Sequence, residues 1–124
     1  MSANYINFPE IYRGDVKLFA LNFTDGQKKP IDLSNRTIYM TIKRNKYDPD
    51  SEAISQKVWT LTTNAVIGEF IVQISSTDTL KMEEGTYPAD IRVSVANSPK
   101  QISMTLEGMI TVEQPITLDI LKEE

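Results

Sequence analysis

Cysteine and histidine are both absent from this sequence of 124 residues. Without cysteine there is no disulfide, no thiolate metal site and no cysteine nucleophile, and nothing indicates the redox compartment. Without histidine the chain lacks the usual proton shuttle at neutral pH and the commonest metal ligand. We therefore predict a protein that is not an enzyme, with no catalytic residue and no cofactor.

Long apolar runs and an excess of basic charge are also missing. No stretch approaches the roughly 20 residues of a membrane-spanning helix, and the N-terminal residues do not have the pattern of a signal peptide. The formal net charge is −4, whereas binding to nucleic acid requires a basic surface. We predict a protein that is made in a cytoplasm and has no nucleic acid and no membrane as partner.

The remaining composition is that of an ordinary globular domain. Hydrophobic residues make up 40% of the chain and charged residues 24%, and both values are close to the average for folded proteins. A chain of this length buries a core without disulfides or metals. We predict a single domain that spans residues 1–124.

Apolar and polar residues alternate along most of the chain, which is the period of a β-strand with one buried face. The pattern predicts strands in segments 38–44, 68–75, 87–95 and 101–112. Segment 15–24 is ambiguous, because apolar residues occupy both alternating sets, as in a strand covered on both faces. Segment 54–62 is ambiguous because Val58 and Trp59 are adjacent and must point to opposite faces.

Turn-forming residues separate these segments. Asp25-Gly26, Asp48-Pro49-Asp50 and the residues around Pro99 are typical of connections between strands. Strands spaced by turns, with no long helix, predict an all-β antiparallel sandwich.

One short helical turn is predicted near residues 77–82. Ser76 or Thr77 is the candidate cap, and Leu80 is expected to pack inward. Gly85 is expected to close the turn in a left-handed conformation.

The two ends of the chain, 1–12 and 115–124, are predicted to be assembly segments. Both carry apolar residues beside a proline, and an exposed strand is a template for pairing with another chain. The interface candidates are Tyr5, Ile6, Phe8, Ile116, Leu118 and Ile120. The alternative is that these residues pack against their own sandwich.

Three polar motifs are weak candidates for a site. Arg13-Gly14-Asp15 has the sequence of an integrin ligand, but it directly precedes an apolar run, which favours a simple bend. Asp48, Asp50 and Glu52 are weak metal candidates, because hard cations bind carboxylates on such loops. A solvated turn is the stronger interpretation, so no metal is assigned. Glu83 and Glu84 are adjacent and do not flank a substrate as catalytic carboxylates do.

The aromatic residues Tyr39, Trp59 and Tyr87 are candidates for a sugar-binding platform, since tyrosine and tryptophan combine apolar area with a polar group. Packing in a core or an interface explains them at least as well.

Several short motifs follow one another in order: Gly14-Asp15, Pro30-Ile31-Asp32-Leu33, Leu80, Gly85-Thr86-Tyr87 and Val112. Over about residues 12–118 the chain resembles the immunoglobulin-like β-sandwich modules of tail and baseplate proteins of bacteriophages and prophages. It is similar in particular to the N-terminal domain of baseplate upper proteins. The resemblance implies an immunoglobulin-like antiparallel β-sandwich in which Leu33 and Leu80 close the core and Gly85 lets Tyr87 re-enter the sheet.

The same resemblance implies a non-enzymatic structural component of a bacteriophage or prophage particle, in its tail, baseplate or fibre attachment. Such a protein would dock to other virion proteins and form a homo-oligomer. It would be synthesised in the bacterial host cytoplasm and end in the virion.

Two other functions are open at this point. A carbohydrate- or host-surface-binding module requires Tyr39 and Trp59 on one solvated face, or an ion at the loop of Asp48 to Glu52. A hydrolase without histidine or cysteine requires paired carboxylates or an unusual lysine base, and two carboxylates that face each other across a cleft would favour it.

Overall fold

The computed structural model describes residues 4–24, 27–61 and 68–116, and their backbone is mostly β-strand. The strands are β1 (Asn4–Tyr5), β2 (Ile11–Tyr12), β3 (Lys17–Asn22), β4 (Thr37–Ile42), β5 (Ser55–Thr60), β6 (Glu69–Ile74), β7 (Gly85–Val95) and β8 (Ser98–Glu113). Among the described residues a single α-helix, α1 (Ser76–Leu80), connects β6 to β7, and a 3-10 turn (Asp50–Glu52) lies between β4 and β5. The predicted all-β class is confirmed.

The strands form a large sheet and a small one. In the large sheet the order is β1, β8, β7, β4, β5, with β2 also paired to β8, while β3 and β6 form the small sheet. Six strands therefore lie in one sheet and two in the other, and the two sheets form a β-sandwich. Two strand pairs differ from the antiparallel prediction, because β1 and β2 both run parallel to β8.

Inward side chains of the two sheets meet in one hydrophobic cluster. The large sheet contributes Ile38, Met40, Ile42, Ala89, Ile91, Val93, Ile110 and Val112, and the small sheet contributes Leu21, Val72 and Ile74. These residues have the parity that the alternation predicts. Each large aliphatic side chain buried in this way stabilises the fold by about 1.5–3 kcal/mol. Leu33, which is 1% exposed, closes the cluster as expected.

Aromatic pairs close the sandwich along both sides. Trp59 on β5 packs edge-to-face on Phe70 of β6, with ring centroids 5.2 Å apart. On the other side Phe8 meets Phe19 of β3 at 5.8 Å. Each pair joins the large sheet or its N-terminal extension to the small sheet. The ambiguity of segment 54–62 is thereby resolved, since Val58, beside Trp59, is 58% exposed on the outer face.

The connection from β6 to β7 differs from the prediction in three details. The helix cap is Ser75, whose hydroxyl accepts a hydrogen bond from the Asp78 backbone N–H, rather than Ser76 or Thr77. Leu80 does not pack inward but is 52% exposed, and Met82 is the buried residue. Gly85 does not close the helix but begins β7. Met82 follows the end of α1 by two residues, so the buried residue belongs to the connection between α1 and β7.

Tyr87 fixes the entry of the chain into β7. Its hydroxyl donates a hydrogen bond of 2.6 Å to the Glu83 carbonyl four residues upstream. This is the geometry of the tyrosine corner in immunoglobulin-like sandwiches. Gly85 lies between the two residues with φ +151°, which a side chain strongly disfavours.

Gly108 allows the N-terminal segment to cross β8 at close range. A Cβ placed on Gly108 would lie 2.3 Å from the Ile6 carbonyl oxygen and 3.0 Å from the Phe8 ring. The Ile6 N–H donates to the Glu107 carbonyl at 2.9 Å next to this crossing. The pairing of β1 with β8 therefore depends on the absence of a side chain at residue 108.

Two predicted turns have different outcomes. β7 and β8 are joined at Ala96-Asn97, where Asn97 has φ +62°, so the connection precedes Pro99 by two residues. Asp25-Gly26 lies outside the described residues.

We expect Tyr87→Phe to lower the free energy of unfolding by about 1 kcal/mol, the usual net contribution of one hydrogen bond. Urea denaturation monitored by Trp59 fluorescence measures this change. Tyr47→Phe is the matched control, because Tyr47 is 88% exposed. Equal stability of the wild type and Tyr87→Phe would contradict a role of the hydroxyl in the corner.

Gly108→Ala is expected to lower the free energy of unfolding by about 1–3 kcal/mol, as overpacking does, because the added methyl group collides with backbone. Hydrogen exchange at the Ile6 amide should accelerate more than exchange in β4. Thr111→Ala, at an exposed position of the same strand, is the control. Uniform acceleration across the sandwich would argue against a local contact at Gly108.

Candidate functional site

A groove of about 760 Å³ lies on the outer face of the large sheet. One wall is the N-terminal segment from Tyr5 to Phe8, and the other is formed by residues of β4 and of the loop between β4 and β5. The floor comes from β7 and β8, which carry Asp90, Arg92 and Glu107 on this face. The groove therefore combines apolar rings on one side with charged groups on the floor and the other side.

Ion pairs hold the β4–β5 loop across the sheet. The ammonium of Lys43 is 2.8 Å from the Asp50 carboxylate and donates to the Asp48 carbonyl at 2.8 Å. The hydrogen bond and the charge of Lys43 lower the pKa of Asp50. Lys46 of the same loop reaches Glu107 on β8 at 3.5 Å. Because β7 separates β4 from β8, the loop spans β7.

Asp90 lies on β7, between Thr41 of β4 and Glu107 of β8 in the strand pairing. Burial raises the pKa of its carboxyl, the nearby charges of Arg92 and Lys43 oppose that effect, and the carboxylate of Glu107 reinforces it. Within the described residues the Asp90 carboxylate accepts no hydrogen bond and makes no ion pair. Asp90 is thus a partly buried charge without a direct partner.

The loop carboxylates do not assemble into an ion site. Asp50 is paired with Lys43, and Asp50 and Glu52 lie in a 3-10 turn. Nowhere in the described ranges do three or more acidic residues form a group that could hold a metal ion.

The aromatic candidates lie apart. Trp59 pairs with Ile38 across the strands and points into the sandwich, whereas Tyr39 is on the opposite face and donates to the Pro99 carbonyl at 2.7 Å. Tyr87 belongs to the corner described above. Tyr39 and Trp59 therefore do not share the solvated face that would favour a sugar-binding module. Tyr39 is paired with Val58, and Val58 and Trp59, as neighbours along β5, face opposite sides of the sheet.

The Arg13-Gly14-Asp15 sequence forms a bend that is tied to the helix. Gly14 has φ +92°, and its N–H donates to the Thr79 hydroxyl at 3.0 Å. That hydroxyl donates to the Asp15 carbonyl at 2.9 Å, and the Arg13 guanidinium donates to the Leu80 carbonyl. The residues therefore join the N-terminal segment to α1 rather than extend from a loop tip.

Neighbouring carboxylates surround Asp90 and Glu113 in the part of the chain that the structure describes. Asp90 and Glu107 are side by side on neighbouring strands, and Glu107 is paired with Lys46. Burial raises the pKa of Glu113, and the nearby carboxylates of Glu10 and Glu84 raise it further. Neither arrangement places an acid and a base on opposite sides of a substrate.

The interface candidates divide into exposed and packed residues. Tyr5 is 84% exposed, and Ile116 is fully exposed. Ile6 and Phe8 are partly buried against the core of their own sandwich. Leu118 and Ile120 lie outside the described residues.

A second surface, which we call the open face, is the outer side of the small sheet. It carries Leu18 and Ile71, which are 59% and 52% exposed, and Val16, directly before β3, is 53% exposed beside them. No strand among the described residues pairs with the outer edge of β3 or of β6. The apolar residues at both parities of segment 15–24 were the signal for this surface, but they also fitted a strand buried on both faces.

Asp78 of α1 is a buried carboxylate that, unlike Asp90, has hydrogen-bond and ion-pair partners. Its Oδ2 atom accepts hydrogen bonds from Lys57 at 3.0 Å and from the Ser55 hydroxyl at 3.1 Å. Burial acts to raise its pKa, but these hydrogen bonds and the charge of Lys57 prevail and the pKa is lowered. Asp78 therefore fastens the helix to β5.

Comparisons of the chain with protein-family models, with curated proteins and with solved structures find no match. Among the described residues no helix has the length and apolar character that crossing a membrane requires.

Asp78→Asn is expected to lower the free energy of unfolding at pH 7 by about 1–3 kcal/mol, because a charged hydrogen-bonding group is lost. Since the folded pKa lies below the ordinary value of 3.8, the stability that Asp78 contributes is present above that value. It is lost as the pH falls through the folded pKa. Urea denaturation at pH 7 and at pH 3 should therefore show a smaller difference between wild type and variant in acid. A difference that grows in acid would contradict this linkage.

Proposed function

We propose that this protein is a non-enzymatic structural component of a bacteriophage or prophage particle. It acts by docking to other virion proteins and to further copies of itself. The observation that carries the proposal is the open face, where Leu18 and Ile71 of the small sheet, and Val16 directly before it, remain more than half exposed. Contiguous apolar surface of this kind marks interaction sites in soluble proteins.

The architecture around the open face supports a docking role. The inner side chains of β3 and β6 pack in the core cluster. The Trp59–Phe70 and Phe8–Phe19 pairs add contacts at the two sides of this small sheet. A partner that adds to either edge meets unpaired backbone groups on a preformed template. Little ordering is then needed on this side of the interface, which favours association.

Self-association belongs to the proposal, because tail and baseplate proteins occupy rotationally symmetric positions. The open face has little charge to oppose contact between copies. Its strand pairs are Leu18 with Gln73, Ala20 with Ile71, and Asn22 with Glu69. Glu69 is thus the only charged residue among these six positions.

The test is a pair of charge substitutions in the open face, Leu18→Lys with Ile71→Lys. We expect the wild-type protein to self-associate in sedimentation velocity as its concentration rises, and the double variant to remain monomeric, since two lysines cannot be desolvated in the contact. Val58→Lys is the matched control, because Val58 is 58% exposed on the outer face of the other sheet.

A wild type that stays monomeric at every concentration would count against self-association, and dissociation caused equally by Val58→Lys would count against the open face. The particle itself is tested separately, by mass spectrometry of phage or prophage particles purified from the organism that carries the gene. The chain is expected among their structural proteins, and its absence from them would contradict the proposed location.

A further inference from the structure

We propose that the groove on the large sheet is a second docking site, which receives a lysine or arginine side chain from an extended segment of another protein. Asp90 provides the counter-ion. This inference is independent of the open face, which lies on the other sheet. It rests on the shape of the groove, on the charges within it and on the position of Asp90.

Asp90 is the carboxylate of the groove that lacks a direct partner among the residues that the structure describes. The Asp50 and Glu107 carboxylates are paired with Lys43 and Lys46. Arg92, two residues along β7, donates through Nε to the Thr105 hydroxyl at 3.2 Å. A cation from outside would therefore find the Asp90 carboxylate unoccupied.

The surroundings of Asp90 make an external cation favourable. Glu107 is directly opposite on β8, and like charges opposite each other destabilise a strand pair. A partly buried carboxylate is less screened by solvent, so a charge-assisted hydrogen bond to it is strong. Among the other nearby charges, those of Arg92 and Lys43 lower the pKa of this carboxyl and that of Asp50 raises it.

The apolar wall suits the stem of the same side chain. Tyr5 is 84% exposed and Met109 51% exposed along this side, and Phe8 also lines the groove. Lysine and arginine bury their aliphatic stems against such surface while the charged group reaches a polar partner. The combination of an apolar wall and a lone carboxylate selects a long cationic side chain over an acidic or purely apolar one.

The experiment uses the full chain and a short capped peptide of alternating threonine and valine with one central lysine as its only charge. The control peptide has norleucine in place of lysine. In a heteronuclear NMR titration we expect the lysine peptide to shift the amide signals of Thr41, Asp90 and Gly108. We expect the affinity of the norleucine peptide to be lower by a factor of about ten or more, which corresponds to the loss of one charged hydrogen bond.

Asp90→Asn should reduce binding of the lysine peptide to the level of the norleucine peptide, and Glu69→Gln on the small sheet should leave it unchanged. Binding should also weaken as the pH falls through the raised pKa of Asp90. Without peptide, Asp90→Asn should be at least as stable in urea as the wild type, because it removes a charge that has no partner.

Four results would overturn the inference: no binding, equal binding of the two peptides, undiminished binding by Asp90→Asn, or destabilisation by that substitution in the absence of peptide. Groove signals that shift with protein concentration alone would identify a second copy as the occupant and would overturn it too. The open-face substitutions lie on the other sheet, so their effect on self-association does not change the peptide titrations. Each proposal can therefore be contradicted without the other.

Discussion

A sheet of two strands is not stable by itself in water, and this constraint governs the structure. The inner residues of β3 and β6 must be buried against the large sheet, and the cluster around Val72 and Ile74 does this. The aromatic pairs at both sides fix the small sheet over its partner. Its outer residues receive no such cover. The two strands of the small sheet therefore complete the core on their inner side, and their outer side forms the open face.

Polar contacts at the end of the sandwich hold the connections in place. Asp78 joins α1 to β5, Thr79 joins it to the bend at Gly14, and the Tyr87 hydroxyl sets the start of β7. Each contact bridges segments that are distant in sequence or turns the chain sharply. They define how the chain passes between the sheets, whereas the apolar core supplies most of the driving force.

The strands were predictable because their alternation records one buried face, as in β4 and β7. Finer features depended on contacts between distant segments. The inward position of Met82 instead of Leu80 is set by where α1 meets the core, and Gly108 is explained only by the crossing of Ile6. The alternation in β7 placed Asp90 among the polar, outward residues of its strand. Its lack of a partner was not predictable, because the groups around it belong to β4, β8 and the loop between β4 and β5. The open face was visible as apolar residues at both parities, without an indication of which set was outside.

The parallel pairing of β1 and β2 with β8 also determines how the protein carries mechanical load. Asn4 at the start of β1 and Glu113 at the end of β8 lie at opposite ends of this parallel arrangement, so tension between these two residues pulls the neighbouring strands along each other. Their hydrogen bonds then share the force in shear instead of opening one by one as in a zipper. A fold with this arrangement resists extension at its terminal strands.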